Sequence, residues 1–543
     1  MNELKPKLFS VLKDYSKEQF IRDLIAGIIV AIIALPLSIA LALASGVTPE
    51  KGLYTAIVAG FVISFLGGSR VQIAGPTAAF ATIVAGIVAK NGMDGLILAT
   101  ILAGILLIVM GFLKLGNLIR FIPYTITTGF TTGIAVTIVI GQLKDFFGLT
   151  FQHAPVETME KLSEVIACFG SFNWQAFLVG LFSLAILILW PGINKKIPPS
   201  LIAVIASSAL VALLPVNVNT IGSLYEISSA LPGIQLPAVS LASVREILPD
   251  AFTIAILAAI ESLLSCVVAD SMIGDRHRPN MELVAQGAGN ICSGLFGGIP
   301  ATGAIARTAA NIKNGGRTPV AGMVHALTLL LELVVLMPYA KLIPMPTIAA
   351  ILFMVAYNMS EWRKFASLLK TAPKSDSFVL LVTFILTVVF DLVIAIEIGI
   401  VMTAFLFMKR MSDVTNVSEW TYAEDSDTTR QHLKHVPKNT QVFEITGPMF
   451  FAAADKILDV MKHSGAEVII LRMRSVPAMD ATALNSLDTV YETCKKEHTR
   501  LIFSHVNPQP MSVMKKAGFD KKVGKENFCE NIDAALEKAG RGR

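Results

Sequence analysis

Charge is what this sequence has least of. Only 16% of its 543 residues are Asp, Glu, Lys or Arg, against about 25% in soluble globular chains. The five cysteines, at 168, 266, 292, 494 and 529, show no CxxC or metal-like spacing. That excludes a zinc knuckle and a thioredoxin-type redox motif, and leaves them as small unpaired hydrophobes. Eight histidines are dispersed, mostly in loops and the tail. With no triad spacing, no His/Cys cluster and no phosphate loop, neither an enzyme nor a bound metal or cofactor is implied. No secretory signal is expected, because the first apolar run follows a polar, basic leader without an obvious small-residue cleavage site.

What is present is apolar residue, 54% of the chain, with a mean hydropathy of +0.64. Residues 1–410 hold 27 of the 45 Lys and Arg, yet apolar runs follow one another there with short breaks. Residues 411–543 hold 18 basic and 18 acidic residues and read as an ordinary soluble domain. The formal +5 therefore belongs to the apolar part, where it reports topology and not a nucleic-acid partner. A lipid bilayer is the expected surroundings.

Hydropathy places spans near 23–44, 52–67, 93–113, 122–141, 174–191 and 199–214, and again near 250–269, 281–297, 319–338, 345–358, 376–390 and 392–408. Two shorter pieces broken by Gly and Pro remain, "VQIAGPTAAFATIVAGIV" at 71–88 and "GGIPATGAIARTAANI" at 297–312. Counting both gives fourteen segments, seven before residue 220 and seven after 250. With a cytoplasmic N-terminus, fourteen crossings put 21 basic residues inside, among them Arg120, Lys195, Lys196, Arg276, Arg278 and Arg307, and six outside. Dropping either short piece spoils that asymmetry.

The halves echo each other. Measured from Asp23 and Asp250, Gly75 lies 52 residues in and Pro300 lies 50 in; Ile122–Pro123 ends at 100 and Ile343–Pro344 at 94. Seven segments per copy make the second copy enter from the opposite face, an inverted repeat of 23–215 and 250–410. Matched broken segments in the two halves of such a repeat mark the binding site of a secondary transporter. A helix that starts inside the membrane leaves its first N–H groups unpaired and aims a partial positive charge at the gap. Two such starts facing each other form an anion site. At the first break the candidate residues are Thr77, Ala78, Ala79 and Phe80, after Gly75 and Pro76; at the second they are Ala301, Thr302, Gly303 and Arg307. Arg307 is either a full charge beside the anion or an anchor that snorkels from the helix end.

"AFTIAILAAIESLLSCVVA", residues 251–269, carries one charge, Glu261, near its middle. A carboxylate at that depth is rare and marks ion or proton pathways. Desolvation penalises its ionised form, which suits a residue that takes up and releases a proton. Ser265, one turn on, shares its face and is the second candidate for coupling. Glu332 and Glu397 also sit in apolar runs but lack a matched break beside them, and a structural or interhelical pairing is expected for both.

These stretches have a familiar look. "DLIAGIIVAIIALPLSIALALASGV", "GLYTAIVAGFVISFLGGSR", "IAGPTAAFATI" and "GNICSGLFGGIPATGAIARTAANIKNGG" resemble the SulP family of anion transporters, over essentially the whole chain. The resemblance implies seven plus seven inverted segments split into a core and a gate domain. It implies short third and tenth segments preceded by extended strands, with the substrate between their N-termini. It further implies an elevator-like movement of the core, a homodimer and a bacterial inner-membrane location with both termini cytoplasmic. Glu261 matches the eighth-segment residue associated with proton or sodium coupling, and Arg307 matches the arginine of the tenth segment found in some members. "ALPLSIALALASGV" departs from the sulfate-type first segment, which reads Pro-Gln-x-x-Ala-Tyr-Ala; Leu37 replaces the glutamine and Leu41 the tyrosine. "GPTAAF", "AAIESLLSCVVAD" and "MVAYNMSEW" look closer to the aerobic C4-dicarboxylate branch. Proton-coupled symport of succinate or fumarate is thus expected, with sulfate or bicarbonate transport as the alternative and an anion channel as the rival of another class.

Beyond a polar linker at 411–438, "TQVFEIT", "AEVIILRMRSV" and "TRLIFSHV" are β-rich and separated by helical stretches, which implies a small α/β domain over 439–543. It resembles the STAS domain, cytoplasmic in this family and open to cytosolic partners. Related anti-sigma-factor antagonists carry a phosphorylated serine after an aspartate; here Asp480 is followed by Ala481, which excludes that phosphorylation. Asp480 is expected to cap a helix, with Thr482 in its first turn.

Overall fold

The computed structural model describes residues 4–117, 123–194, 197–390, 392–419, 436–437, 439–450 and 466–540. The chain divides into two compact units, Met1–Ile400 and Val401–Arg543. Arg120, Ile122, Lys195, Lys196 and most of the expected linker lie outside the described residues.

The first unit is helical. Its long elements are α1 (Lys17–Ala44), α2 (Pro49–Leu66), α3 (Ala81–Phe112), α4 (Tyr124–Phe147), α5 (Trp174–Ile193), α6 (Pro199–Leu213), α7 (Leu241–Ile273), α8 (Pro279–Leu295), α9 (Ile305–Lys313), α10 (Pro319–Ala340), α11 (Met345–Ser360) and α12 (Lys374–Val389). A further helix, α13 (Leu392–Val414), runs from this unit into the second. Seven of the described helices are long and apolar enough to cross a membrane. Their ends follow the local chemistry. Proline opens α2, α6, α8 and α10, where its missing N–H costs nothing. The Ser16 hydroxyl caps α1 by accepting from the Gln19 N–H at 3.1 Å. Starts often precede the expected spans, since a polar first turn extends α1 to Lys17 and α7 to Leu241.

Gly92 breaks α3 with a φ of 68° and a ψ of −169°, so residues 81–91 and 93–112 are two segments, the short third and the fourth. With that break the order is the expected fourteen segments in two sets of seven. Each copy has a two-residue strand before its short helix, β1 (Ala74–Gly75) and β2 (Thr302–Gly303). They pair antiparallel, Ala74 with Gly303 and Gly75 with Thr302. A stronger mark of the repeat is the helix before each strand. From Pro49 to Gly67–Gly68, and from Pro279 to Gly297–Gly298, the spacing is the same, 18 residues from the proline to the first glycine.

Two packing groups result. In one, α3 packs on α7 and α8, and α10 on α1 and α2; in the other, α4 packs on α11 and α12, and α5 on α6 and α11. These are the core and gate groups. Inside the core, α3 and α8 cross where Gly104 faces Gly287. A Cβ on either would lie within 2.6 Å of the other's carbonyl oxygen, so only glycine permits this backbone approach. Close crossings of small residues replace the hydrophobic driving force that helices lack in lipid.

The second unit holds a five-stranded sheet in the order β3 (Asn416–Glu419), β4 (Thr440–Thr446), β5 (Val468–Ser475), β6 (Arg500–Ser504) and β7 (Phe528–Cys529). β3 is antiparallel to β4 and the remaining pairs are parallel. Helices α14 (Ala481–Lys496), α15 (Pro508–Lys516) and α16 (Ile532–Gly540) follow the strands. Residues 411–419, expected in the linker, instead finish α13 and form β3, because "NVSE" finds an edge to pair with on β4. The Asp480 carboxylate accepts from the Ala483 N–H at 2.8 Å and caps α14 as expected.

Candidate functional site

The two strands bring the matched breaks together. After β1 the chain turns through Pro76 and Thr77 into a 3-10 turn, Ala78–Phe80, that leads into α3. After β2 it enters α9 at Ala304. Neither start has a side-chain cap, so the amides of each first turn are left to whatever lies in front of them. Ala78, Ala79 and Phe80 are buried, Phe80 completely. Their side chains fix the turn and their backbone is the surface on offer.

The Thr77 hydroxyl, free of capping duty, donates to Glu261 Oε2 at 2.9 Å. This bond ties the entry of the third segment to the middle of α7. Glu261 is half-buried. Ser265, the other coupling candidate, is fully buried and its hydroxyl donates to Thr308 Oγ1 at 3.4 Å. Thr308 in turn accepts from the Ile73 N–H at 3.0 Å. Ser262, which no motif singles out, shares a 2.7 Å hydroxyl pair with Thr302 and accepts from the Gly303 N–H at 3.1 Å.

Ala301, Thr302 and Gly303 are buried with their polar groups engaged. The Asn290 side chain pairs with the Ala301 peptide unit from both sides, accepting from its N–H at 2.8 Å and donating to its carbonyl at 2.9 Å. Thr55 Oγ1 accepts from the Ile299 N–H at 2.7 Å. These side chains stand in for the missing strand neighbours, since buried backbone groups need partners. The second break thus presents its first α9 turn, Ile305 and Ala306, both exposed, ahead of the three residues expected from sequence. The signal for Asn290, Thr55 and Ser262 was a polar residue inside an apolar helix, weak by itself.

Arg307 is 3% exposed, which ends the snorkelling alternative. One arm, Nη2, donates to the Pro76 carbonyl at 3.2 Å and to Ser38 Oγ at 3.4 Å. It reaches from the second break across to the first. The other arm, Nη1, is buried with no partner among the described residues, under Gly75, whose ideal Cβ would lie 2.4 Å from it. A buried guanidinium nitrogen without a partner is costly unless a ligand or ion completes it. Glu332 departs from its expected pairing: its Oε2 is buried without a partner among the described residues, and Glu397 is exposed.

Residues 20–383 match the family model described as the Sulfate permease family. The chain belongs to that family. Residues 432–537 match the STAS domain model. A putative sulfate transporter of Bacillus subtilis, YvdB, is 39% identical over 526 residues, covering 96% of this chain and 98% of that protein. The bicarbonate transporter BicA of a Picosynechococcus species is 29% identical, covering 95% of this chain and 94% of its own. Murine Slc26a9, an anion transporter solved in the inward-facing state, superposes with a TM-score of 0.89 at 20% identity over 99% of this chain and 94% of its own, a likeness of fold. A permease family with a STAS domain is a family of membrane transporters and not of enzymes.

Proposed function

We propose that this protein is a secondary transporter of small inorganic oxyanions, of the sulfate or bicarbonate kind. The observation that carries the reading is Arg307 Nη1, a buried guanidinium nitrogen without a partner among the described residues, beside two uncapped helix starts. Anions bind such ends through unpaired amides and the helix dipole. In this reading the ligand lies between the Thr77–Phe80 turn and the first turn of α9, with the Arg307 guanidinium as a full positive partner. Ala301, Thr302 and Gly303 hold that second turn in place through Asn290 and Ser262. Glu261 carries the coupling proton: neutral, it lets the loaded core cross, and ionised, it resets the core. Its bond from Thr77 passes the state of the carboxylate to the anion turn.

The inorganic reading displaces the dicarboxylate one. Relatives that match this chain over nearly their whole length are named for sulfate and bicarbonate, and among the described residues that form the two helix starts Arg307 is the one cation, which suits a compact anion better than the two carboxylates of succinate. The surrounding architecture is proposed from the same family: a membrane domain over 23–410 whose core moves against its gate, a cytoplasmic STAS domain over 439–543, cytoplasmic termini, a bacterial inner membrane and a homodimer.

The test is uptake of labelled sulfate, bicarbonate and succinate into proteoliposomes, with and without an inward proton gradient, for wild type, Glu261→Gln and Arg307→Gln. Saturable uptake of an inorganic anion, driven by the gradient and lost in Glu261→Gln, is expected. Uptake of succinate alone restores the dicarboxylate branch. Unsaturable flux that ignores the gradient makes the protein a channel.

A further inference from the structure

The two repeats are joined by residues 214–240, a long connection whose only helix is the single turn Ile221–Leu224. Seven crossings precede it, so it lies on the face opposite the N-terminal leader. Its first part is fastened to the gate. The Asn217 N–H donates to Gln175 Oε1 at the start of α5 at 2.6 Å, and the Met345 N–H at the start of α11 donates to the Asn219 carbonyl at 2.9 Å. Its later part is fastened to the core by two bonds. The Tyr54 hydroxyl of α2 donates to the Ala230 carbonyl at 2.8 Å, and the Gln235 N–H donates to the Leu295 carbonyl at the end of α8 at 2.6 Å.

Those bonds meet α2 and α8, the helices that share the proline-to-glycine spacing and flank the two strands of the site. Around them the connection is otherwise loose: Leu231, Ile234, Leu236 and Val239 are 61–79% exposed. A segment with few buried contacts and two point attachments is one that can let go.

We propose that residues 217–240 are a latch. The gate holds one end, and Tyr54 and Leu295 hold the other, so the core is retained in the position described until those two bonds break. This rests on the transport reading above, in which core and gate move against each other.

Gln235 and Leu295 supply the lock for a test. The 2.6 Å bond from the Gln235 N–H to the Leu295 carbonyl holds their Cα atoms within about 6.5 Å of each other, inside the range of a disulfide between Gln235→Cys and Leu295→Cys. Uptake of sulfate and bicarbonate into proteoliposomes is measured for this pair, oxidised and then reduced, beside oxidised wild type. The expected result is uptake abolished by oxidation and restored by reductant, with wild type indifferent. Tyr54→Phe, which introduces no cross-link, should raise the uptake rate about two- to tenfold, the effect of losing one neutral hydrogen bond, at unchanged half-saturation. Full uptake by the completely cross-linked protein overturns the latch, because the connection then travels with the core. If wild type moves neither anion, the transport reading falls and the latch with it; if wild type transports and only the cross-link is without effect, the latch alone falls.

Discussion

Replacing Gly75 by alanine separates the proposed anion site from the fold that carries it. Gly75 sits in β1 with an ordinary negative φ, so the backbone accepts a side chain. The new methyl would meet Ala56 at 3.5 Å, an ordinary contact, and Arg307 Nη1 at 2.4 Å, an impossible one. The guanidinium is the free end of a flexible side chain, so it moves and the strand stays. To reach normal contact it must retreat by about 1 Å, which takes the 3.2 Å bond to the Pro76 carbonyl out of hydrogen-bonding range. A hydrogen bond from a charged group is worth about 1.5–3 kcal/mol. If the anion needs the arm where it now lies, half-saturation for uptake should rise about 10- to 150-fold. The assay is concentration-dependent uptake of the best inorganic anion into proteoliposomes, paired with thermal unfolding in detergent. Half-saturation unchanged in Gly75→Ala but raised in Arg307→Gln would show that the guanidinium works from another position. A melting temperature lowered by many degrees would show that Gly75 is a packing residue and that the reasoning about Arg307 is wrong.

Asn290→Ala leaves both polar groups of the Ala301 peptide buried and unpaired, at a cost of about 1–3 kcal/mol each; thermal unfolding of the full chain should show a clear loss, and an unchanged midpoint would remove Asn290 from the scaffold. Asp480→Ala removes the α14 cap at a cost of about 1 kcal/mol, and hydrogen exchange over residues 481–496 in the full-length protein should rise in that variant and much less in Asp480→Asn. In the leader, Tyr15 donates to Asp23 at 3.0 Å. Burial, aided by the Asp23 carboxylate and opposed by a bond with Thr318, pushes its phenol up to about 12. Since the neutral phenol is the form that is held, its contribution is complete below pH 10 and is lost as pH rises through 12. The difference in ultraviolet titration between wild type and Tyr15→Phe should show one phenol ionising near 12; ionisation near 10 would mean the leader is not docked.

Much of the fold was legible because membranes simplify it. Hydrocarbon demands runs of apolar helix, and the charge deficit before residue 410 gave both the class and the number of segments. The broken pieces at 71–88 and 297–312 were legible for the opposite reason, since Gly and Pro at matched depth disrupt what the bilayer otherwise enforces. What escaped was the start of α1, because a polar first turn outside the bilayer carries no hydropathy signal. The edge strand β3 escaped as well. "NVSE" is four residues with a single apolar side chain, and only its pairing with β4 makes it a strand.

The site was legible in its charges and not in its scaffold. Glu261 and Arg307 stand out because ionisable groups at that depth demand a reason. Their partners do not stand out: Thr77 reaches Glu261 across 184 residues of sequence, and Arg307 reaches Pro76 across 231. Ser265 shows why spacing alone misleads. One turn from Glu261 on the same helix, it nonetheless donates to Thr308, which also accepts from the Ile73 amide, so the face it shares with the carboxylate is a matter of geometry and not of bonding. The same principle moves the second half of the site. Ala301, Thr302 and Gly303 carry the motif, but a motif inside a membrane must first satisfy its own backbone, and Asn290 and Ser262 do that for it. Only the amides left over, one turn further along in α9, can be offered to a ligand. In the proposed site, then, the residues that spell the motif build the scaffold, and the groups offered to a ligand are those whose hydrogen bonds that scaffold has left unmade.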